Sequence, residues 1–224
     1  MKNQYRFFCP SDFDELKHQI YNVLRLRNGS LFSLVIKGRE YLCRLTAEGY
    51  DVIEDITEDR EPIKNVTLAV AGLKKDKLEY VFQKCTETGV NGFLIFNGDN
   101  SVKNTDRESF GKLLPRYDKI VTEACEQSYR LIKPCIDFTA LEKIDLSFYD
   151  RIFLTDESGL PLREVLDDRS EKILLFIGPE GGFSDRETDY ILSCGGEKIS
   201  FGKRIMRSET SAVAISASII SFYE

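Results

Sequence analysis

The chain has 224 residues, 42% hydrophobic and 30% charged, which is ordinary for a soluble globular protein of one large or two modest domains. Its net charge of −6 excludes a global basic field, so any contact with nucleic acid must come from a local patch. Six cysteines without a C-x-x-C pair and a single histidine, His18, argue against a zinc site, a disulfide framework and His-dependent catalysis. With no signal-peptide core and no long apolar run, the chain is expected to be cytoplasmic and to lack a membrane span.

The N-terminal part of the chain is predicted to be a small β-rich module. A short strand over Tyr5–Cys9 precedes a helix over Asp12–Leu26, whose apolar residues recur at near-helical spacing. Three further strands follow, separated by glycine-containing turns, at Leu31–Ile36, Tyr41–Leu45 and Tyr50–Ile56.

A charged stretch that ends in a proline, Glu58–Pro62, predicts a domain boundary. We therefore expect one domain over residues 1–62 and a second over residues 63–224. In the second, strands and helices alternate, which is typical of an α/β fold with a parallel sheet.

The elements of this second domain follow from apolar runs and helical periodicity. The predicted strands are Val66–Ala71, Asn91–Phe96, Arg151–Leu154, Ile173–Ile177 and Glu197–Phe201. The predicted helices are Lys77–Thr88, Thr105–Arg130 with a break near Pro115, Asp185–Ser193 and Ser208–Phe222. We also expect a turn at Asp156–Gly159. The last helix is apolar on nearly all sides, which indicates burial in the core or at a subunit interface.

Two glycine-containing strand ends lie close together in this domain. The strand ending at Ile177 runs into Gly178–Gly182, with the sequence G-P-E-G-G, and the strand ending near Phe201 runs into Gly202 and a basic loop. The spacing matches neither the dinucleotide fingerprint nor the Walker A loop. Either these are two ordinary loops, or they form one pocket in which a flat ligand contacts the main chain.

Two groups of charged residues are candidates for binding an anionic ligand. Arg204 and Arg207 precede the last helix, and Glu123, Gln127 and Arg130 share one face of the long helix at i, i+4 and i+7. A solvated basic loop and an ordinary salt-bridged helix are the simpler interpretations.

Taken together, the motifs resemble those of the RsmE family of 16S rRNA uridine-N3 methyltransferases, in the SPOUT (trefoil-knot) superfamily. The matching residues are Val23-Leu24-Arg25-Leu26 with Gly29, Gln83-Lys84 with Glu87 and Gly89-Val90, Glu123-Ala124-Cys125-Glu126-Gln127 with Arg130, Ile177 to Phe183, and Gly202 with Arg204 and Arg207 to Thr210. They occur in the family's order over nearly the whole chain.

The resemblance implies a PUA-like N-terminal β-barrel that binds RNA and a C-terminal SPOUT parallel sheet with a deep trefoil knot. It implies S-adenosylmethionine as cofactor, no metal, a homodimer, and 16S rRNA or the assembled small ribosomal subunit as partner. The implied cofactor-binding residues are Leu154, Ile177, Gly178, Pro179, Gly181, Gly182, Phe201, Gly202, Ile205, Met206, Arg207 and Thr210. The implied RNA-binding residues are Arg25, Arg27, Lys84, Lys103, Arg130 and Arg204.

Methylation at uracil N3 requires loss of the imide proton, which places negative charge on the flanking carbonyl oxygens, so Arg207 and Arg130 are the candidate catalytic cations. Glu180 or Glu209 orients them or accepts the proton. Asn100 stands where the family commonly has an arginine, whose role is lost or passes to Lys103. The alternatives are a knotted enzyme acting on another RNA position such as a ribose 2′-hydroxyl, a non-catalytic RNA-binding protein and, third, a nicotinamide-dependent enzyme.

Overall fold

A computed structural model describes residues 5–9, 13–102, 104–167 and 170–224. Lys103 and the predicted helix start at Asp12 lie outside these ranges. The chain divides into two compact units. The first comprises Met1–Glu61 and Cys125–Ile132, and the second comprises Pro62–Ala124 and Lys133–Glu224. The segment 125–132, which the predicted boundary places in the second domain, therefore groups with the N-terminal residues.

The first unit contains a four-stranded sheet in the order β1-β2-β3-β4. Its strands are β1 (Arg6–Phe8), β2 (Leu31–Ile36), β3 (Arg39–Leu45) and β4 (Tyr50–Asp55). β1 is parallel to β2, and the other pairs are antiparallel. The sheet and the neighbouring helix bury a cluster of apolar side chains that includes Phe7, Phe32 and Ile20. The sheet and the helix therefore share one apolar core.

The first helix is shorter and less regular than its periodicity predicts. It consists of α1 (Asp14–Lys17), which continues as a π-helix over His18–Val23. The amide of Leu26 then donates to the carbonyl of Ile20 at 3.0 Å, and the intervening Arg25 has a φ of 55°. A residue with left-handed backbone that lies between the donor and the acceptor of such a hydrogen bond ends a helix, as in a C-terminal cap. The helix therefore stops before Leu26.

The second unit is built on a six-stranded parallel sheet, which confirms the predicted α/β class. Its strand order is β10-β8-β9-β5-β6-β7, and all five pairings are parallel. The strands are β5 (Asn65–Ala71), β6 (Gly92–Phe96), β7 (Cys135–Phe138), β8 (Arg151–Pro161), β9 (Lys172–Ile177) and β10 (Glu197–Ser200). The helices are α2 (Lys75–Glu87), α3 (Arg107–Ser128), α4 (Leu162–Val165), α5 (Asp185–Ser193) and α6 (Ser208–Tyr223), and the end of α3 from Cys125 onward belongs to the first unit.

The central strands explain why the apolar runs predict this sheet. Every residue of β9 from Ile173 to Ile177 has 0% exposure, and β5 is buried from Val66 onwards. Strands of a parallel sheet are covered on both faces, so they appear in sequence as continuous apolar runs. In contrast, β7 is short and half-exposed, and no apolar run marks it in the sequence.

Helix α3 runs through Pro115 without interruption, so the predicted break is wrong. A proline removes one backbone hydrogen bond, which usually interrupts a helix. Here the buried side chains of Phe110, Tyr117 and Val121 anchor the helix on both sides of the proline. The packing of these side chains outweighs the loss of the backbone hydrogen bond at Pro115.

Strand β8 also differs from the prediction, because it continues to Pro161 instead of turning at Asp156–Gly159. The pairing with β10 jumps from Leu154 opposite Lys198 to Leu160 opposite Ile199. The intervening residues form a bulge, in which Ser158 donates its amide to Asp156 at 2.7 Å. The hydrogen bond typical of a turn is therefore present at Asp156, but the pairing of β8 with β10 continues after it.

Candidate active site

A cavity of about 490 Å³ lies at the carboxyl ends of β8, β9 and β10 and reaches the first turns of α6. Loops after parallel strands are the usual ligand-binding edge of such sheets. The cavity is lined by Thr155, Asp156, Glu157, Ser158, Ile177, Gly178, Pro179, Glu180, Gly182, Phe183, Ile199, Ser200, Phe201, Gly202, Arg204, Ile205, Met206, Ser208, Ser211 and Ile215. The two glycine-containing strand ends therefore contribute to one pocket.

Eight of the twelve predicted cofactor-binding residues line this cavity: Ile177, Gly178, Pro179, Gly182, Phe201, Gly202, Ile205 and Met206. The other four, Leu154, Gly181, Arg207 and Thr210, do not. Leu154 is fully buried in β8, one residue before the lining begins.

The first loop is a tight turn, and each of its glycines is required for a different structural reason. The amide of Gly182 donates to the carbonyl of Pro179 at 3.0 Å, and its φ of 74° favours glycine. A Cβ at Gly178 would lie 3.0 Å from the ring of Phe183. A Cβ at Gly181 would lie 3.0 Å from Cβ of Asn100, so this glycine packs against a neighbouring loop and not against the cavity.

The second loop, between β10 and α6, forms an exposed rim. Gly202 has a φ of 80°, and Arg204 and Ile205 are exposed, with 81% of Ile205 accessible. α6 begins at Ser208, and Arg207 is its N-cap residue with an exposed side chain. The rim thus carries a cation and an apolar side chain.

The bulge of β8 supplies a carboxylate that the sequence motifs do not single out. Asp156 lines the cavity, accepts hydrogen bonds from Ser158 and lies 3.0 Å from the ammonium of Lys198. Burial by itself would raise the pKa of Asp156, but the hydrogen bonds from Ser158 and Lys198 outweigh it and hold the pKa below its usual value. Asp156 is therefore anionic at neutral pH. The Asp-x-Ser pattern is visible in the sequence, but it predicts only a turn.

Lys77, which lies in the first turn of α2, connects the two predicted carboxylates. Its Nζ lies 3.2 Å from Glu180 and 3.3 Å from Glu209. Burial works to lower the pKa of Lys77, but the hydrogen bonds to Glu180 and Glu209 outweigh it and raise the pKa. Of the two carboxylates, Glu180 lines the cavity and Glu209 does not. No motif in the sequence singles out Lys77.

Arg130 has a different environment from the one predicted. It lies in the first unit, and its side chain is 3% exposed. The guanidinium donates to Oε2 of Glu61 at 2.7 Å and 3.1 Å, while Oε1 accepts from the amides of Leu131 and Ile132. The charged group is therefore enclosed and paired with Glu61, and its predicted contacts with RNA and with uracil stay predictions. Arg130 supports the fold of the first unit.

The remaining predicted RNA-binding residues have mixed surroundings. Arg25 and Arg27 are exposed in the first unit, and Arg204 is exposed at the rim of the cavity. Lys84 is half-buried and donates to both carboxylate oxygens of Glu87, at 2.8 Å and 3.0 Å. Their contacts with RNA stay predictions.

Membrane spans and metal clusters are both missing from the described part of the chain. Over residues 5–9, 13–102, 104–167 and 170–224, no helix is long and apolar enough to cross a bilayer. Within the same ranges, no group of three or more histidine, cysteine or acidic side chains is arranged to hold a metal ion.

The sequence is similar to that of known RNA methyltransferases. Residues 59–220 match the family described as RNA methyltransferase domain. Ribosomal RNA small subunit methyltransferase E of Bacillus subtilis is 32% identical over 219 residues, which cover 89% of this chain and 85% of the relative. The protein of the same name from Mesomycoplasma hyopneumoniae is 28% identical over 230 residues, 93% of this chain and 96% of the relative.

A solved structure extends this similarity to the fold. The Neisseria gonorrhoeae ribosomal RNA small subunit methyltransferase E, determined with S-adenosyl methionine bound, superposes with a TM-score of 0.85 at 26% identity and covers 98% of both chains. The chain therefore belongs to the ribosomal RNA small subunit methyltransferase E family.

Proposed function

We propose that this protein transfers a methyl group from S-adenosylmethionine to N3 of a uridine in 16S rRNA. The observation that carries the proposal is the cavity formed by the loops after β8, β9 and β10 in a chain of this family. Names of relatives support the small-subunit rRNA, and the choice of N3 rests on the motif resemblance.

The chemistry of the cavity fits the proposed cofactor. Its volume of 490 Å³ lies within the range of about 300–1,000 Å³ that is typical of small-molecule sites. Ile177, Ile199 and Ile215 offer an apolar surface for a flat base, while Asp156 and Glu157 offer carboxylates for ribose hydroxyls. S-adenosylmethionine supplies an electrophilic methyl group on a sulfonium. The protein would bind and orient this group beside the nucleotide.

Two side chains have proposed roles at the uracil. The imide proton leaves N3 as the methyl group arrives, and negative charge collects on the flanking carbonyl oxygens. Arg207, exposed at the start of α6, would donate to one of these oxygens. Glu180 is our candidate proton acceptor, because it lines the cavity and Glu209 does not. N3 takes part in base pairing, so the uridine must be unpaired or extruded.

The finer features of the architecture are also proposals. We propose that the segments forming the cavity are threaded into a trefoil knot, that the first unit is a PUA-like barrel and that the protein is a homodimer. We place the proposed subunit contact at the cavity rim, where the side chain of Ile205 is exposed. The exposed Arg25 and Arg27 support RNA binding by the first unit. The left-handed backbone of Arg25 follows a π-helix, and such helices are frequent at functional sites.

Incubating the protein with labelled S-adenosylmethionine and unmodified small ribosomal subunits should produce 3-methyluridine, detected by nucleoside mass spectrometry. Arg207→Ala should lower kcat by on the order of 100-fold, because one donor to the developing charge is lost. Its thermal stability should be unchanged. Arg163→Ala is the matched control, since Arg163 is an exposed arginine on α4, and it should retain full activity. A 2′-O-methylated product would contradict N3 as the target, and absence of any heat of cofactor binding would favour a non-catalytic RNA-binding protein.

Lys77→Met should weaken S-adenosylmethionine binding by on the order of fivefold, because Glu180 loses the cation that holds it. Lys77→Arg should restore most of the affinity. The raised pKa means that the lysine keeps its charge at and below its usual pKa of 10.5 and loses it only as pH rises through the higher value. The defect of Lys77→Met should therefore be constant from about pH 6 to 9, as measured by calorimetry. A defect that appears only at one end of this range would count against the ion pairs as its cause.

A further inference from the structure

The loop after β6 lies directly against the glycine-rich turn of the cavity. Asn100 donates its side-chain amide to the carbonyl of Gly182 at 3.2 Å and to that of Gly181 at 3.5 Å. The backbones also approach closely, since a Cβ at Gly181 would lie 3.1 Å from the carbonyl oxygen of Asn100. Asn100 does not line the cavity. It contacts the turn from outside.

The neighbouring Asp99 fixes this loop to the start of α5. Its carboxylate accepts from the hydroxyl of Ser184 at 2.6 Å and from the guanidinium of Arg186 at 2.8 Å and 3.1 Å. The hydrogen bonds from Arg186 and Ser184 hold the pKa of Asp99 below its usual range. Arg186 also donates to Glu142 at 2.6 Å. Asp99 thus remains a charged anchor at neutral pH.

A buried carboxylate joins the same two loops from within. Glu187 has 0% exposure. Its Oε1 accepts from the backbone amide of Asp99 at 3.0 Å, and its Oε2 accepts from the amide of Ser184 at 2.9 Å. Ser184 in turn caps α5 by accepting from the amide of Glu187. A buried carboxylate is costly unless it is hydrogen-bonded, so these bonds hold the two loops together.

We infer that Asn100 is a positioning residue that holds the carbonyls of Gly181 and Gly182 and so sets the orientation of the glycine-rich turn toward the cavity. Asp99 and Glu187 keep Asn100 in place, and Asn100 passes this constraint to the turn. The cavity-facing groups of the turn, Gly178 and Glu180, are then presented in one arrangement before a ligand binds. Such preorganisation increases affinity because the turn need not be ordered on binding. The inference rests on the proposed function for the identity of the ligand as S-adenosylmethionine.

Asn100→Asp tests this role, because the substitution keeps the shape, removes the donor and places a carboxylate beside two carbonyl oxygens. The dissociation constant for S-adenosylmethionine, measured by calorimetry, should rise about fivefold. Hydrogen exchange at the amide of Gly182, which bonds to Pro179, should accelerate in the protein without ligand. The melting temperature should change by less than about 2 °C, since Asn100 is exposed. Asn100→Ala, which adds no charge, should show the same changes to a smaller degree.

Asn104→Asp is the matched control, because it places the same charge on an exposed residue of the same segment. It should leave the affinity and the exchange rate unchanged. An equal effect of both Asp substitutions, or unchanged exchange at Gly182 in Asn100→Asp, would overturn the inference. So would a raised KM for RNA with unaltered cofactor affinity, which would mean that Asn100 contacts RNA directly. If the unmodified protein binds no S-adenosylmethionine, the proposed function fails, and the exchange measurement alone still decides whether Asn100 holds the turn.

Discussion

Arg130→Met should lower the free energy of unfolding by about 3 kcal/mol or more, because it leaves the carboxylate of Glu61 buried without its cation. The pair is enclosed, with side-chain exposures of 3% and 11%. Glu61 is also the acceptor for the amides of Leu131 and Ile132, so its displacement would free two backbone donors. Chemical denaturation followed by circular dichroism measures the change, since the chain has no tryptophan for fluorescence.

Arg39→Met provides the control for this experiment. Arg39 pairs with Asp55 at 3.1 Å, but the two side chains are 65% and 40% exposed. An exposed pair of this kind contributes at most about 1 kcal/mol. A stable Arg130→Met protein without methyltransferase activity would contradict a structural role and favour the predicted catalytic role of Arg130.

Gly159→Ala should destabilise the second unit by about 3 kcal/mol, because β8 and β10 approach too closely for a side chain. A Cβ at Gly159 would lie 2.5 Å from the backbone nitrogen of Ile199 and 2.6 Å from the carbonyl carbon of Lys198. Backbone atoms cannot rotate away as a flexible side chain can. The edge strand β10 would have to move, and Ile199 and Ser200 of the cavity lining would move with it. We therefore expect cofactor affinity to fall together with the melting temperature.

Gly111→Ala should have the opposite effect on stability. Gly111 lies in α3 and is exposed, and a Cβ added to it would meet no atom within 4 Å. Alanine is favoured over glycine inside a helix by about 1 kcal/mol. If both glycine substitutions destabilise the protein equally, the close approach at Gly159 is not the cause of its effect.

The parallel sheet is predictable because its central strands are buried on both faces. Ile173–Ile177 and Val66–Ala71 can be identified from apolar character alone. Elements whose formation depends on distant partners are not predictable in this way. Strand β7 has only four residues, with Asp137 among them, and forms by pairing with β6. Helix α3 tolerates Pro115 because of side chains that pack on both sides of it.

In the candidate site, too, some residues can be predicted from the sequence and others cannot. Glycines in unusual backbone conformations mark turns in the sequence, so Gly182 and Gly202 can be recognised there. The contributions of Asp156 and Lys77 depend on contacts across many residues, such as the 103 residues that separate Lys77 from Glu180. The predicted helical face shared by Glu123, Gln127 and Arg130 is wrong, because α3 ends at Ser128 and Tyr129 has a φ of 61°, so Arg130 lies beyond the helix.

Completion of the first unit by Cys125–Ile132 has a consequence for synthesis on the ribosome. The buried guanidinium of Arg6 donates to the carbonyls of Cys125 and Arg130, and the amide of Phe8 donates to Glu126. These acceptors emerge only after much of the second unit has been translated. At roughly 5–20 residues per second, the nascent N-terminal segment must wait on the order of 10 s for them. The N-terminal unit therefore cannot reach its final state as an early, independent folding event, and gene fragments that end near residue 61 should yield protein that aggregates or is degraded.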